Sequence, residues 1–197
     1  MLRVSAEDLP DGATARFDLL FAGYAETGSA PFRVASTVSL IRDADVKAIV
    51  DPGFLPDRQI LLDRLQQAGE APENITDVIF SHHHPDHTVN AALFPHAQLH
   101  DFWAIYRDDS WQSRPAEGFA LAPSIRLLET PGHTPQDITT IVRTTDDVVA
   151  LTHLWWTAEG PDEDPFATDM PALRSGRQRV LDVATLIVPG HGPAFRP

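Results

Sequence analysis

The sequence predicts an α+β fold in which sheets pack on each other and helices cover their outer faces. Three observations carry that prediction: β-branched alternating segments come in runs, helical periodicity interrupts them at two places, and three apolar strands stop on histidines. Segments 15–24, 33–42 and 46–51 read as strands joined by turns. Asp57 then caps a helix whose apolar positions Leu61, Leu62, Leu65 and Ala68 share one face, and Gly69 supplies a left-handed exit. Val78-Ile79-Phe80 reads as a short buried strand closing directly on Ser81-His82-His83-His84-Pro85-Asp86-His87. Further strands are expected at 125–129, 138–143, 148–152 and 186–188. A polar, proline-rich stretch over 158–171 leads into a second helix over about 172–183, with Leu173, Val180 and Leu181 facing inward. Phe80 precedes His82, Leu151 precedes His153 and Val188 precedes Pro189-Gly190-His191, so binding groups gather on loops at strand ends.

Composition narrows the function classes. The 197 residues suit one core, and no linker or repeat divides them, so a single domain over 1–197 is expected. No apolar run is long enough to span a bilayer, and the first eight residues lack a basic flank followed by an apolar stretch; a cytoplasmic protein without a signal peptide follows. Zero cysteines exclude disulfides, thiolate catalysis and cysteine-ligated metals, leaving His and carboxylate ligands. A net charge of −13, spread along the chain, disfavours nucleic acid and anionic membranes as partners, while a local cationic metal site remains compatible with an anionic ligand. The expected partner is a small-molecule substrate; the oligomeric state is left open.

The tract His82-x-His84-x-Asp86-His87 places four potential ligands within six residues, directly after a strand. In an extended segment residues i and i+2 point the same way, so His82 and His84 can grip one cation while the following turn directs Asp86 and His87 towards another. Pro85 argues against a helix through this stretch. A histidine-rich surface tract would lack both the preceding strand and the interleaved carboxylate. His83 alternates away from the ligand side, and His96 and His100 lie in or near a strand expected after Pro95; all three read as structural or exposed.

Together with Thr130-Pro131-Gly132-His133-Thr134, Val188-Pro189-Gly190-His191-Gly192 and Val50-Asp51-Pro52-Gly53, this tract resembles the metallo-β-lactamase superfamily from about residue 35 onward. The stretch 176–195 further resembles the short metallo-β-lactamase-domain-containing branch, which includes RNA-cleaving members. The resemblance implies a four-layer αββα sandwich. It implies that His82, His84 and His133 hold one metal, that Asp86, His87 and His191 hold a second, and that Asp51 orients ligands by hydrogen bonding. One position departs from the family pattern: where dinuclear members carry a bridging Asp, this chain has His153. A ligating imidazole nitrogen has one lone pair and cannot ordinarily bridge two ions. His153 is therefore expected to bind the second metal alone, or to leave water or hydroxide as the only bridge, and the lost negative charge weakens retention of that ion.

The cofactor expected is one or two divalent metal ions, zinc first, with iron or manganese as alternatives. No serine-centred elbow is in view, so the nucleophile is water acidified by the metal, with Asp86 taking or relaying a proton. A small ester, lactone, thioester or related acyl substrate is preferred. The competing classes are a phosphodiesterase or ribonuclease, an iron-dependent redox enzyme and a non-catalytic metal-binding protein. Trp155, Trp156, Phe102, Trp103 and Trp111 either wall an apolar pocket or, as favoured, mostly pack in the core, and Tyr24 and Tyr106 are candidate leaving-group acids.

Overall fold

The computed structural model describes residues 9, 14–28 and 30–197; residues 1–8, on which the leader expectation rests, lie outside the described residues. Chain order runs β1 (Arg16–Phe21), β2 (Tyr24–Glu26), β3 (Arg33–Ala35), β4 (Val38–Asp43), β5 (Val46–Val50), α1 (Arg58–Gln67), β6 (Asp77–Ile79), α2 (Pro85–Thr88), β7 (Gln98–His100), β8 (Ala104–Arg107), β9 (Ser110–Ser113), β10 (Ala120–Ala122), β11 (Ile125–Glu129), β12 (Ile138–Arg143), β13 (Val148–Thr152), α3 (Met170–Leu181) and β14 (Leu186–Pro189). One sheet has the order β1-β4-β5-β6-β7-β8-β9, a second β10-β11-β12-β13-β14, and β2 pairs with β3 in a separate hairpin.

Alternation along the strands explains the layers. Leu40, Ile49 and Val78 face Leu61 and Leu65 of α1, whereas their neighbours Ile41, Val50 and Ile79 meet Ile125, Leu127, Val142, Leu151 and Val188 between the two sheets. On the second sheet Leu128, Ile141, Ala150 and Ile187 turn the other way, onto Leu173 and Val180 of α3. Three apolar interfaces therefore separate four layers, the αββα order that the motifs imply.

Both helices begin where a carboxylate can cap them. Asp57 accepts from the Gln59 amide at 2.8 Å, and Gly69 leaves α1 at φ 81°. α3 starts at Met170, two residues before its expected position, because Asp169 caps it and Pro171 sits in the first turn, where its missing N–H removes no helical bond. It ends at Leu181, which is exposed rather than inward-facing.

Two expected strands break. Segment 15–24 ends as a strand at Phe21, because Gly23 lies so close to the chain opposite that a Cβ would sit 2.3 Å from the Ala35 carbonyl. Segment 33–42 divides into β3 and β4, which belong to different sheets; between them Thr37 Oγ1 donates to the Gly192 carbonyl at 2.9 Å and accepts from the Gly23 and Gly192 amides. No helix among the described residues is long and apolar enough to cross a membrane.

Candidate metal centre

The centre assembles at the carboxyl ends of strands from both sheets. After β6 the chain runs extended through His82 and His84, while the intervening His83 turns out to Asp101 at 3.0 Å. Pro85 then opens α2, a single helical turn that begins after the extended segment and does not run through it. At the first helical position a proline lacks only an amide that would be unpaired anyway. This single turn carries Asp86 and His87. It is pressed onto the loop after β5 so closely that a Cβ on Gly53 would lie 1.5 Å from the Asp86 carbonyl.

Four of the inward-facing rings, His82, His87, His133 and His191, have hydrogen-bonding groups behind them, whereas His153 Nδ1 is buried without a hydrogen-bond partner. Asp51, at φ 52° where non-glycine residues are rare, takes the Ser81 amide on Oδ1 at 2.7 Å and the His87 Nδ1–H on Oδ2 at 2.9 Å. Asp164 accepts from His133 Nδ1 at 2.6 Å, and the Ala35 carbonyl accepts from His191 Nδ1 at 3.0 Å. Ser81 Oγ lies 3.0 Å from His82 Nδ1. The loop carrying His133 is closed by Asp137, whose carboxylate takes the Thr134 amide and hydroxyl at 2.8 and 2.5 Å. Burial raises the Asp137 carboxyl to about 6, against the pull of those bonds. His153 follows β13 and rests on Gly190, where a Cβ would come 2.5 Å from its Cδ2.

The forward-facing atoms form two sets. His84 Nδ1 is 2.9 Å from His82 Nε2 and 3.1 Å from His133 Nε2. Asp86 Oδ2 is 3.4 Å from His87 Nε2 and 3.8 Å from His191 Nε2. His153 Nε2 lies 3.0 Å from His191 Nε2, and its ring centroid is 4.1 to 5.0 Å from those of His133, His82, His87 and His191. All seven ligand candidates named from the sequence therefore converge, with Asp51 behind them.

The donor chemistry fits a cation. A carboxylate or carbonyl oxygen can only accept, so His87, His133 and His191 carry their protons on Nδ1 and aim Nε2 lone pairs inward. Such lone pairs repel unless a positive charge sits among them, and His87 Nε2 is buried with no hydrogen-bond partner. Burial first, then the neighbouring histidines, push His82 and His153 well below the usual imidazole range and lower His191 to about 4; His84 moves the same way. These rings are held neutral, the form that ligates. His87 is the exception: burial would lower it, but the Asp51 carboxylate outweighs burial and raises it. The set of imidazoles and one carboxylate suits borderline divalent ions.

Asp164 and Asp137 were not legible as site residues. Asp164 lies in the polar stretch beside Asp162 and Glu163, and nothing in the sequence separates it from them. His96 is exposed and His100 is buried against Asp77 at 2.7 Å, so neither joins the centre. The tyrosines also stay apart. Tyr106 donates to Asp101 at 2.7 Å, with burial and that bond raising its pKa, and the Tyr24 hydroxyl accepts from Arg33 at 3.4 Å. The aromatic group divides: Trp156 walls the cavity at the centre, Phe102 and Trp155 pack against the core, and Trp103 and Trp111 are exposed.

Comparison with known proteins places these features in a family. The family model described as the metallo-beta-lactamase superfamily matches residues 31–194. Metallo-beta-lactamase domain-containing protein 1 of Xenopus laevis is 33% identical over 187 residues, 90% of this chain and 80% of that protein. Its human namesake is 37% identical over 158 residues, 75% of this chain and 59% of the human protein, so the chain spans about three fifths of that relative's length. Among solved structures, a candidate metallo-beta-lactamase of Thermotoga maritima superposes with a TM-score of 0.75 at 20% identity, covering 93% of this chain and 100% of that one. A quorum-quenching N-acyl homoserine lactone lactonase gives 0.64 at 19%, covering 91% and 92%. At such identities the likeness is one of fold.

Proposed function

Because the chain belongs to the metallo-β-lactamase superfamily, we propose that it is a metal-dependent hydrolase of a small ester, lactone, thioester or related acyl substrate. The observation that carries the reading is the convergence of inward lone pairs and Asp86 on the wall of an apolar cavity of about 170 Å³. His82, His84 and His133 would hold one divalent ion, and Asp86, His87 and His191, with His153 Nε2 3.0 Å from His191 Nε2, would hold a second; zinc is the first choice, with iron or manganese as alternatives. When bound, such ions would lower the pKa of water towards about 7 and stabilise negative charge on an oxygen.

The chain's own groups do the rest. Asp51, Asp164 and the Ala35 carbonyl fix ring orientation and tautomer, so the ligand nitrogens need no reorganisation. Asp86 lines the cavity and takes or relays the proton released by water. Phe32, Trp156 and Phe166 shield the reacting group from solvent. Arg33 is the one Lys or Arg among the cavity's lining residues and is engaged by Glu26 at 3.1 Å, which favours an uncharged acyl group over a phosphodiester. The acidic chain points the same way, towards a small-molecule partner rather than nucleic acid.

The test is a screen of esters, lactones, thioesters and phosphodiesters with zinc-, manganese- and iron-loaded protein. Acyl hydrolysis is expected. Uniform silence with metal bound would favour a binding role, and oxygen consumption by the iron form would favour redox chemistry.

A further inference from the structure

We infer that the substrate carries an apolar tail running from the metal centre into an adjoining aromatic groove, and that Phe32, Trp156 and Phe166 select it. This deepens the acyl-hydrolase reading and rests on it. The cavity at the centre shares Ala25, Thr27, Phe32, Trp156 and Phe166 with a second hollow of about 500 Å³, so the two adjoin along a common wall. Charge falls away from the first to the second. Asp86, the histidines and the Arg33–Glu26 pair line the first chamber, whereas Thr157, Gly160, Pro161 and Pro165 complete the second, whose lining includes no charged residue.

The shared wall is built as a platform. The Trp156 and Phe166 rings stack at 5.7 Å and 12°. The indole lies 5.9 Å from the His191 ring and 6.4 Å from that of His153, so one side chain meets both the ligands and the groove. Phe166 is held in register with the centre by a single carboxylate: Asp164 Oδ1 accepts the Phe166 amide at 2.9 Å while Oδ2 holds His133. Thr157 lines the second hollow, its hydroxyl donating to the Gly160 carbonyl at 3.0 Å. Phe32 and Phe166 nevertheless remain 55% exposed. Large rings held in position yet uncovered, beside a centre that must bind the reacting bond, mark a surface that a ligand completes. Their place on the wall common to both hollows makes that ligand the remainder of the substrate, oriented with its carbonyl inward and its hydrocarbon outward.

The experiment measures kcat/KM of the metal-loaded full chain on acetyl, butyryl, hexanoyl and octanoyl esters of one leaving group. In parallel, calorimetry measures binding of octanamide to the same protein. Burial of hydrocarbon predicts a rise of about fourfold per added methylene. Phe166→Ala and Phe32→Ala, at half-exposed positions, are expected to flatten that slope to below about twofold per methylene, whereas a merely structural change would scale all esters alike. Cleavage with no chain-length dependence overturns the groove and leaves the hydrolase standing. Octanamide binding that Phe166→Ala abolishes, without cleavage of any ester, supports the groove and overturns the hydrolase. Neither cleavage nor binding overturns the inference.

Discussion

Replacing Asp164 by alanine tests whether groups behind the ligands set the properties of the centre. The Asp164 carboxylate is buried and takes the His133 Nδ1–H at 2.6 Å. Burial alone would raise its pKa, but the bonds from His133 and the Phe166 amide outweigh burial and hold it below its ordinary value, so it is a carboxylate at neutral pH. Its loss leaves a buried imidazole N–H without its acceptor and frees the ring to turn away from His84. Removing such a partner typically weakens metal binding by about 10- to 100-fold, about 1.4 to 2.7 kcal/mol. Asp164→Asn keeps an acceptor oxygen for Nδ1–H and is expected to lose less. The assay is competition with a chromophoric chelator, run on wild type and both variants. Wild-type affinity in Asp164→Ala would refute the reasoning.

Three further outcomes follow from the same geometry. Gly190→Ala places a methyl 2.5 Å from His153 Cδ2, so overpacking should cost about 1–3 kcal/mol in denaturant unfolding, while Gly28→Ala, with nothing within 4 Å, serves as the control; equal stabilities would count against the packing described. Chelator-treated protein should lose stability in acid. His191 titrates at about 4 when folded and near 6.5 when unfolded, so the unfolded chain binds more protons between those values. The contribution is fully present above about pH 6.5 and is lost as pH falls towards 4. His82, His84 and His153 act in the same direction and His87 opposes them; a flat unfolding profile between pH 7 and 5 would contradict this. Asp86→Asn should lower kcat by roughly 10²-fold or more with a smaller change in KM, and unchanged turnover would remove Asp86 from proton transfer.

The parts legible in the sequence are those whose determinants are local. His82, His84, Asp86 and His87 sit within six residues, and the alternation of an extended segment already separates His84 from His83. His133 and His191 are marked by Pro-Gly-His turns; Gly132 and Gly190 prove to be places where a Cβ would meet Leu173 or His153. What escaped depends on distant partners. The break between β3 and β4 is held by Thr37 reaching Gly192, far along the chain, and Asp164 acquires its role only because its loop folds onto His133. The strand expected after Pro95 is β7, whereas β8 to β10 were missed because they are short and carry little alternation, and β9 is exposed throughout. Pro85 shows the limit of a local rule, since the residue that breaks a helix interior also begins one.

The most direct test of the central claim is elemental analysis of the purified chain, followed by calorimetric titration of the chelated protein with zinc, iron and manganese. One or two equivalents of transition metal per chain are predicted, with the affinity for the first ion reduced in His84→Ala, a change at a solvent-exposed ligand that spares the core. A chain that purifies without transition metal and takes up none on titration would contradict the account.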